Sequence, residues 1–164
     1  VGSVRPPGWR RAGSVVLDYG VRPPGREALV PGTCCRVAAP ASVYRPSPDM
    51  GEVGNLPAGQ RGYITFGTLA RSIRINHRTV RVWSDILKRV PDARLVIDSA
   101  NVKDPAMQER MAARFAEHGI SRERLEIGCH SPPWDVLRGI DIGLDCFPHN
   151  SGTTLVETVY RGVT

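Results

Sequence analysis

Two segments carry residues whose types and spacing suit a phosphorylated ligand. One runs Asp145-Cys146-Phe147-Pro148-His149-Asn150-Ser151-Gly152-Thr153-Thr154 into a stretch of helical spacing that bears Glu157. Amides exposed at a helix N-terminus, backed by the positive end of the dipole, make an anion site, and Gly152 would let a phosphate approach the backbone. Thr153 and Thr154 add hydroxyl donors. Glu157 lies too far along to cap, and its carboxylate suits hydrogen bonds from a ribose diol. Taken alone, the loop favours a plainer reading, capping of the helix by Thr153. The other segment, Gly67–Asn76, sets Arg71 and Arg74 three residues apart. Arginine forks grip phosphate oxygens in a bidentate way, although two arginines at that spacing are often only solvated. Set across one crevice, the two segments suggest a nucleotide diphosphate.

The elements that must position them begin at Tyr63. Tyr63-Ile64-Thr65-Phe66 reads as a strand entering a polar loop. Asn76 is placed to cap a helix over about 77–89, whose Val80, Trp83, Ile86, Leu87 and Val90 recur at helical spacing before Pro91. Residues 94–98 form a second strand. Asp104-Pro105 supplies an N-cap and a first-turn proline for a helix carrying Met107, Met111 and Phe115, closed by Gly119. Residues 125–128 give a third strand, 134–138 a short helix, 140–144 a fourth strand and 153–161 a helix stopped by Gly162. Strands alternating with amphipathic helices imply right-handed crossovers and a doubly wound, Rossmann-like α/β fold with a parallel sheet covered on both faces. Ligands of such sheets bind beyond the carboxyl ends of the strands, so the segments after Phe66, Asp98, Gly128 and Leu144 should line one crevice.

Residues 1–61 differ. They hold 9 of the 14 prolines and 9 of the 17 glycines with no sustained period, so they read as an irregular connecting segment. Within it Ser14–Leu17 and residues 34–39 are candidate strands. The 164 residues suit one domain. The chain opens on Val1 rather than Met and stops at Thr164 as a helical pattern closes, which suggests a fragment.

Composition excludes several classes. The net charge of +6 is carried by 20 Arg and 2 Lys with no block of like charge and no aromatic interleaving, so no nucleic-acid partner is expected. No apolar run nears the roughly 18 residues of a membrane span, and no leader pattern is visible, so a cytoplasmic protein without a membrane partner is expected. Cys34, Cys35, Cys129 and Cys146 lack metal-ligand spacing with one another or with His77, His118, His130 and His149, so no metal is expected. His130 and His149 lie at crevice ends without a sequence reason to assign them to a ligand. Neither a dinucleotide Gly-x-Gly-x-x-Gly after the first strand nor a P-loop occurs.

Three ordered stretches, residues 66–76, 82–91 and 144–157, resemble the O-GlcNAc transferase and SPINDLY-like glycosyltransferases, with similarity from about Leu56 to Thr164. The resemblance implies part of the C-terminal lobe of a GT-B fold, which holds the nucleotide sugar. It assigns Arg74 to the distal phosphate, where Lys is usual, and Arg71 to the position of an amide side chain facing the diphosphate. It also carries the Thr pair to Thr153 and Thr154 and the ribose-binding acid to Glu157, with Gly152 where animal members have His. The family's base-contacting His and Arg find no secure match near Pro132-Pro133-Trp134.

The resemblance implies an inverting transfer of sugar, UDP-GlcNAc being the expected donor, to Ser or Thr hydroxyls of proteins, with no cofactor or metal. On this reading residues 62–164 are the nucleotide-sugar-binding lobe, truncated at its C-terminus, and residues 1–61 the inter-lobe connection. Tetratricopeptide repeats, which would grip the protein acceptor, have no matching period here, and the catalytic base belongs to an N-terminal lobe outside the sequence. The alternative is a nonenzymatic nucleotide-binding or interaction remnant.

Overall fold

The computed structural model describes residues 14–18, 33–38, 40 and 43–163. It separates into two compact units, Val1–Arg45 and Pro46–Thr164. In the first, β1 (Ser14–Asp18) pairs in parallel with β2 (Thr33–Val37), Ser14 opposite Thr33. Both candidate strands of the Pro/Gly-rich segment therefore form. The second unit takes in residues 46–61, ending in the short helix α1 (Ala58–Arg61), together with the alternating strands and helices.

That unit is built on β3 (Thr65–Thr68), β4 (Arg94–Asp98), β5 (Leu125–Gly128) and β6 (Ile142–Gly143), all parallel in the order β5-β4-β3-β6. The chain lays β4 and β5 down on one side of β3 and then returns to place β6 on the other. The switch in direction falls between β3 and β6. Helices α2 (His77–Arg89) and α3 (Pro105–Ala116) make the two crossovers before the switch, and α4 (Trp134–Arg138) makes the one that reverses it. Right-handed crossovers put α4 on the face opposite α2 and α3.

Local chemistry explains these helices. Asn76 accepts from the amides of Arg78 (2.9 Å) and Thr79 (3.1 Å), starting α2 where the sequence places its cap. Val80, Trp83 and Leu87 are fully buried in the core with Phe66, Leu95, Ile97, Phe115 and Leu125, whereas Ile86 and Val90 pack against its edge. Arg124 closes α2 by donating to the carbonyls of Leu87, Val90 and Ala93, a cation at the negative end of the helix. Asp104 accepts from the Ala106 amide to start α3. Gly119 closes α3: at φ 76° it turns the chain so that its own amide reaches the Ala116 carbonyl and the Ile120 amide the Phe115 carbonyl.

Two strands differ from their apolar runs. The first begins at Thr65 rather than Tyr63, because β4 pairs from Arg94 and only the Ile64 carbonyl, accepting from Arg94, joins the ladder earlier. The fourth shrinks from five residues to Ile142–Gly143, with single backbone bonds from the Asp141 and Leu144 amides to β3 on either side. The last helix, α5 (Thr153–Tyr160), stops one residue short of Arg161.

The face of β3 opposite the main core carries Gly67. A Cβ there would lie 2.3 Å from Ile140 Cδ1 and 2.5 Å from its Cγ1, so Ile140 fills the space that a side chain would need. Gly67→Ala is therefore expected to lower stability by about 1–3 kcal/mol through overpacking. In a double-mutant cycle of thermal unfolding, Ile140→Ala should recover much of that loss. Strict additivity of the two changes would show that the contact does not set the packing.

Candidate functional site

The strand order makes neighbours of the loops after β3 and β6, 77 residues apart in sequence at Thr68 and Asp145, at the carboxyl edge where an open parallel sheet receives ligands. Leu144 donates to the Gly67 carbonyl at 2.8 Å, extending the β3–β6 pairing to the loop's first residue. Beyond it, Asp145 folds the loop back. Its Oδ1 accepts from the amides of Cys146 (2.8 Å) and Ser151 (2.9 Å), and its Oδ2 from Ser151 again (3.0 Å). Buried under that turn, the Cys146 thiol is pushed up to about 11 by desolvation first and by the Asp145 charge second, with Arg74 pulling it back. A thiol held that high is unreactive at neutral pH.

The loop after β3 is shaped to reach across. Residues Ser72–Arg74 form one turn of 3-10 helix, with Arg71 immediately before it. Arg71, in extended conformation before the turn, and Arg74, its last residue, border one cavity. Arg74 Nη1 donates to the Asn150 carbonyl at 3.0 Å, and Asn76 Nδ2 donates to the Phe147 carbonyl at 2.6 Å. Asn76 thus caps α2 with its oxygen and ties down the facing loop with its nitrogen. A cavity of about 390 Å³ opens here, lined by Arg71, Arg74, Asn76, Phe147, Pro148 and His149. Sequence reasoning placed the two arginines on this crevice, but nothing in it marked Asn76 as the second bridge.

Helix α5 starts at this junction without a side-chain cap. Its N-cap is Gly152, and among the described residues no side-chain hydrogen bond closes the terminus. The capping role that Thr153 could have played is not the one it takes. Gly152 and Thr153 are exposed and Thr154 is half-buried. Ser151 adds a second signal: it is 7% exposed, and its hydroxyl has no partner among the described residues. With Gly67, Thr68, Leu144, Asp145 and Thr154 it lines a cleft of about 10 Å³, room for about one water. The start of α5 offers backbone N–H groups, the hydroxyls of Ser151, Thr153 and Thr154 and a helix dipole, while Arg71 and Arg74 line a separate cavity on the Phe147 and His149 side of the same loop, which Arg74 touches at Asn150.

Glu157 lies in the second turn of α5, half-buried. Burial holds its carboxyl above the ordinary 4.5. Along the same edge, Asp98 ends β4 almost fully buried and accepts from the His130 amide at 3.1 and 3.2 Å and from its Nδ1. His130 is thereby oriented at the far end of the edge from the β3–β6 junction. His149 borders the cavity beside Arg74. Neither contact is visible in local sequence, because Asp98 and His130 meet only through the β4–β5 pairing.

No family model matches the chain. A SPINDLY protein of Oryza sativa subsp. japonica, named "Probable UDP-N-acetylglucosamine--peptide N-acetylglucosaminyltransferase SPINDLY", is 32% identical over 124 residues, which covers 73% of this chain and 13% of the rice protein. The protein of the same name from Arabidopsis thaliana is 30% identical over 127 residues, with 73% and 14% covered. The chain thus spans about one-seventh of the curated relatives it matches. Among solved structures, a point mutant of the O-GlcNAc transferase of Thermobaculum terrenum superposes with a TM-score of 0.77 at 28% identity, over 92% of this chain and 29% of that one. The sucrose-phosphate synthase of Thermosynechococcus elongatus superposes at 0.63 with 11% identity, over 94% and 40%, a likeness of fold alone. Both neighbours are GT-B glycosyltransferases. Among the described residues no helix is long and apolar enough to cross a membrane.

The raised carboxyl of Glu157 has a thermodynamic consequence. The folded state holds the proton more tightly than the unfolded chain, so stability falls as pH rises from 4.5 through the elevated folded value. Relative to Glu157→Gln, the parent should lose melting temperature as pH rises through that window, and the difference should level off above it. A parent that instead gains on the variant with rising pH would mean that the charged carboxylate is stabilised where it lies.

Proposed function

We infer the role of this chain from its belonging to the O-GlcNAc transferase and SPINDLY-like glycosyltransferases, of whose catalytic lobe it represents a part: it binds the nucleotide-sugar donor. The observation that carries this reading is the meeting of Arg74 with the loop that leads into the uncapped start of α5, at Asn150, across the β3–β6 junction. Arg74 grips the distal phosphate of the donor, and Arg71 faces the diphosphate from the same cavity. The amides at Gly152, Thr153 and Thr154, with the hydroxyls of the two threonines, take the remaining phosphate oxygens. Gly152 leaves the backbone open to close approach, and Glu157 accepts from the ribose diol.

The chemistry served is an inverting transfer from a nucleoside diphosphate sugar, UDP-GlcNAc being the expected donor, to a Ser or Thr hydroxyl of a protein. As the bond from the sugar's anomeric carbon to the phosphate oxygen breaks, negative charge accumulates on the leaving diphosphate. Donors already aimed at that charge stabilise it with little reorganisation. Arg74 is anchored for this task, since one nitrogen is fixed on the Asn150 carbonyl and leaves the other N–H groups of its guanidinium for the diphosphate. On this reading a divalent cation is not required for donor binding, and the acceptor and its catalytic base belong to parts of the protein outside this chain.

Calorimetry with UDP and with uridine tests the assignment. UDP should bind well ahead of uridine, with and without EDTA, because the recognised groups are the diphosphate and ribose. Arg74→Ala should weaken UDP by about 10- to 150-fold, the equivalent of about 1.5–3 kcal/mol for a charge-assisted hydrogen bond. Arg74→Lys should keep most of the affinity, and Arg81→Ala, an exposed change on α2, should alter little. Equal affinities for UDP and uridine, or an Arg74→Ala variant that binds UDP as the parent does, would remove the diphosphate site.

A further inference from the structure

At the other end of the sheet lies a second positively charged pocket that the donor reading does not use. Arg161, just past α5, is 5% exposed, yet its guanidinium meets no carboxylate among the described residues. Among the described residues its side chain makes one hydrogen bond, from Nη1 to the Glu52 carbonyl, and its buried Nε has no partner. Guanidinium stays charged throughout the physiological pH range, and a buried charge without a counter-charge is costly. The negative end of α5 offsets only part of that cost.

A cavity of about 170 Å³ adjoins it, bounded by Asn55, Pro57, Arg138, Asp141, Arg161 and Gly162. The second arginine is drawn to the same place. The Cβ position of Gly51 lies 3.0 Å from Arg138 Nη2 and 3.8 Å from Arg161 Nη1, so the two cations converge over one glycine held at φ 70°. The carboxylates nearby are committed. Asp141 accepts from the amides of Ala58 (2.7 Å) and Thr65 (2.8 Å), one with each oxygen. Asp135 pairs with Arg138 Nη1 out at the exposed surface, and Arg138 Nη2 reaches only the Met50 carbonyl, at 3.5 Å. The buried Arg161 guanidinium, with an unused N–H and no carboxylate contact among the described residues, faces Arg138 Nη2, the nitrogen that Asp135 does not hold, across a cavity that Asp141 also borders.

We propose that Arg161 and Arg138 form a small-oxyanion site, separate from the donor loops, that takes a phosphate-sized anion or a carboxylate between the two guanidinium groups. A water occupies about 30 Å³, so the cavity has room for one such anion with its remaining hydration. The site lies at the amino ends of the strands, beside the start of β6, whereas the donor loops lie at the carboxyl ends. An anion there would stabilise the contact between residues 50–57 and the end of α5, because it binds the folded pocket and not the unfolded chain.

Thermal unfolding of the whole chain in chloride, inorganic phosphate and acetate at matched ionic strength tests the proposal. The Arg74→Ala background removes phosphate binding at the donor loops. In that background, phosphate or acetate should raise the melting temperature in a saturable way, and Arg161→Met should abolish the rise. Acetate acting alone would identify a carboxylate as the fitting oxyanion, and phosphate acting alone a tetrahedral one. Should Arg161→Met fail to fold, Arg138→Met provides the same comparison. The Nε–Hε resonance of Arg161 reports independently and should shift as either anion is added. A rise that disappears with Arg74→Ala but survives Arg161→Met would overturn the proposal. So would an Arg161 resonance that stays still at saturating phosphate and acetate.

Discussion

The arrangement depends on one buried carboxylate. β6 pairs with β3 over only two residues, too short a ladder to define a strand position by itself. Asp141, at 2% exposure, supplies what the ladder lacks: its side chain accepts from Thr65 at the start of β3 and from Ala58 at the start of α1, while its own amide donates to the Thr65 carbonyl at 2.9 Å. A charged acceptor whose hydrogen bonds are made inside the protein gives stronger contacts than neutral pairs do. Through them the returning chain is held beside β3, and the switch in strand order becomes a fixed feature of the sheet.

From that switch the site follows by geometry. Gly67 admits Ile140 on one face, and Thr158 packs within 2.9 Å of where a Cβ of Gly143 would be, so α5 lies close against β6. The loops then have little freedom left, and Arg74 and Asn76 join them with two hydrogen bonds to backbone carbonyls. Against this well-satisfied framework, the uncapped amides of α5 and the unpartnered Ser151 hydroxyl stand out. Native structures satisfy buried polar groups almost everywhere. The unmet groups at the start of α5 lie where the sheet also has its crevice and where a polar ligand would complete them, whereas the other unmet buried side-chain atoms among the described residues, Thr79 Oγ1 and Arg161 Nε, lie away from it.

The arginine-rich composition also acquires a physical meaning. Arg124 closes α2, Arg114 donates to the Ile75 carbonyl at 2.6 Å, and Arg61 donates to the Gly139 carbonyl at 2.9 Å. Each spends its fork on backbone carbonyls at a helix end or a loop rather than on a shared surface stripe. Part of the positive charge thus serves structural duties, in contrast to Arg74 and Arg161 at opposite ends of the sheet.

How much of this was legible before folding depends on how far apart the interacting residues lie. Helix α2 occupies the span its spacing predicts because Asn76 and the apolar stripe act within a few residues, and the same holds for the Asp104 cap of α3 and for β5 at Leu125–Gly128. The positions of Arg71, Arg74, Gly152, Thr153, Thr154 and Glu157 at the ends of elements were legible for the same reason, as was the parallel α/β class that the alternation imposes. Tertiary structure decided the rest. The trimming of β6, the absence of a cap on α5, the carboxylate behind His130 and the pairing of Arg74 with Asn150 are contacts across 32 to 76 residues or consequences of them. Backbone propensity and periodicity act over a turn or two, whereas hydrogen bonds between distant residues exist only once β6 has come to lie beside β3 and β5 beside β4.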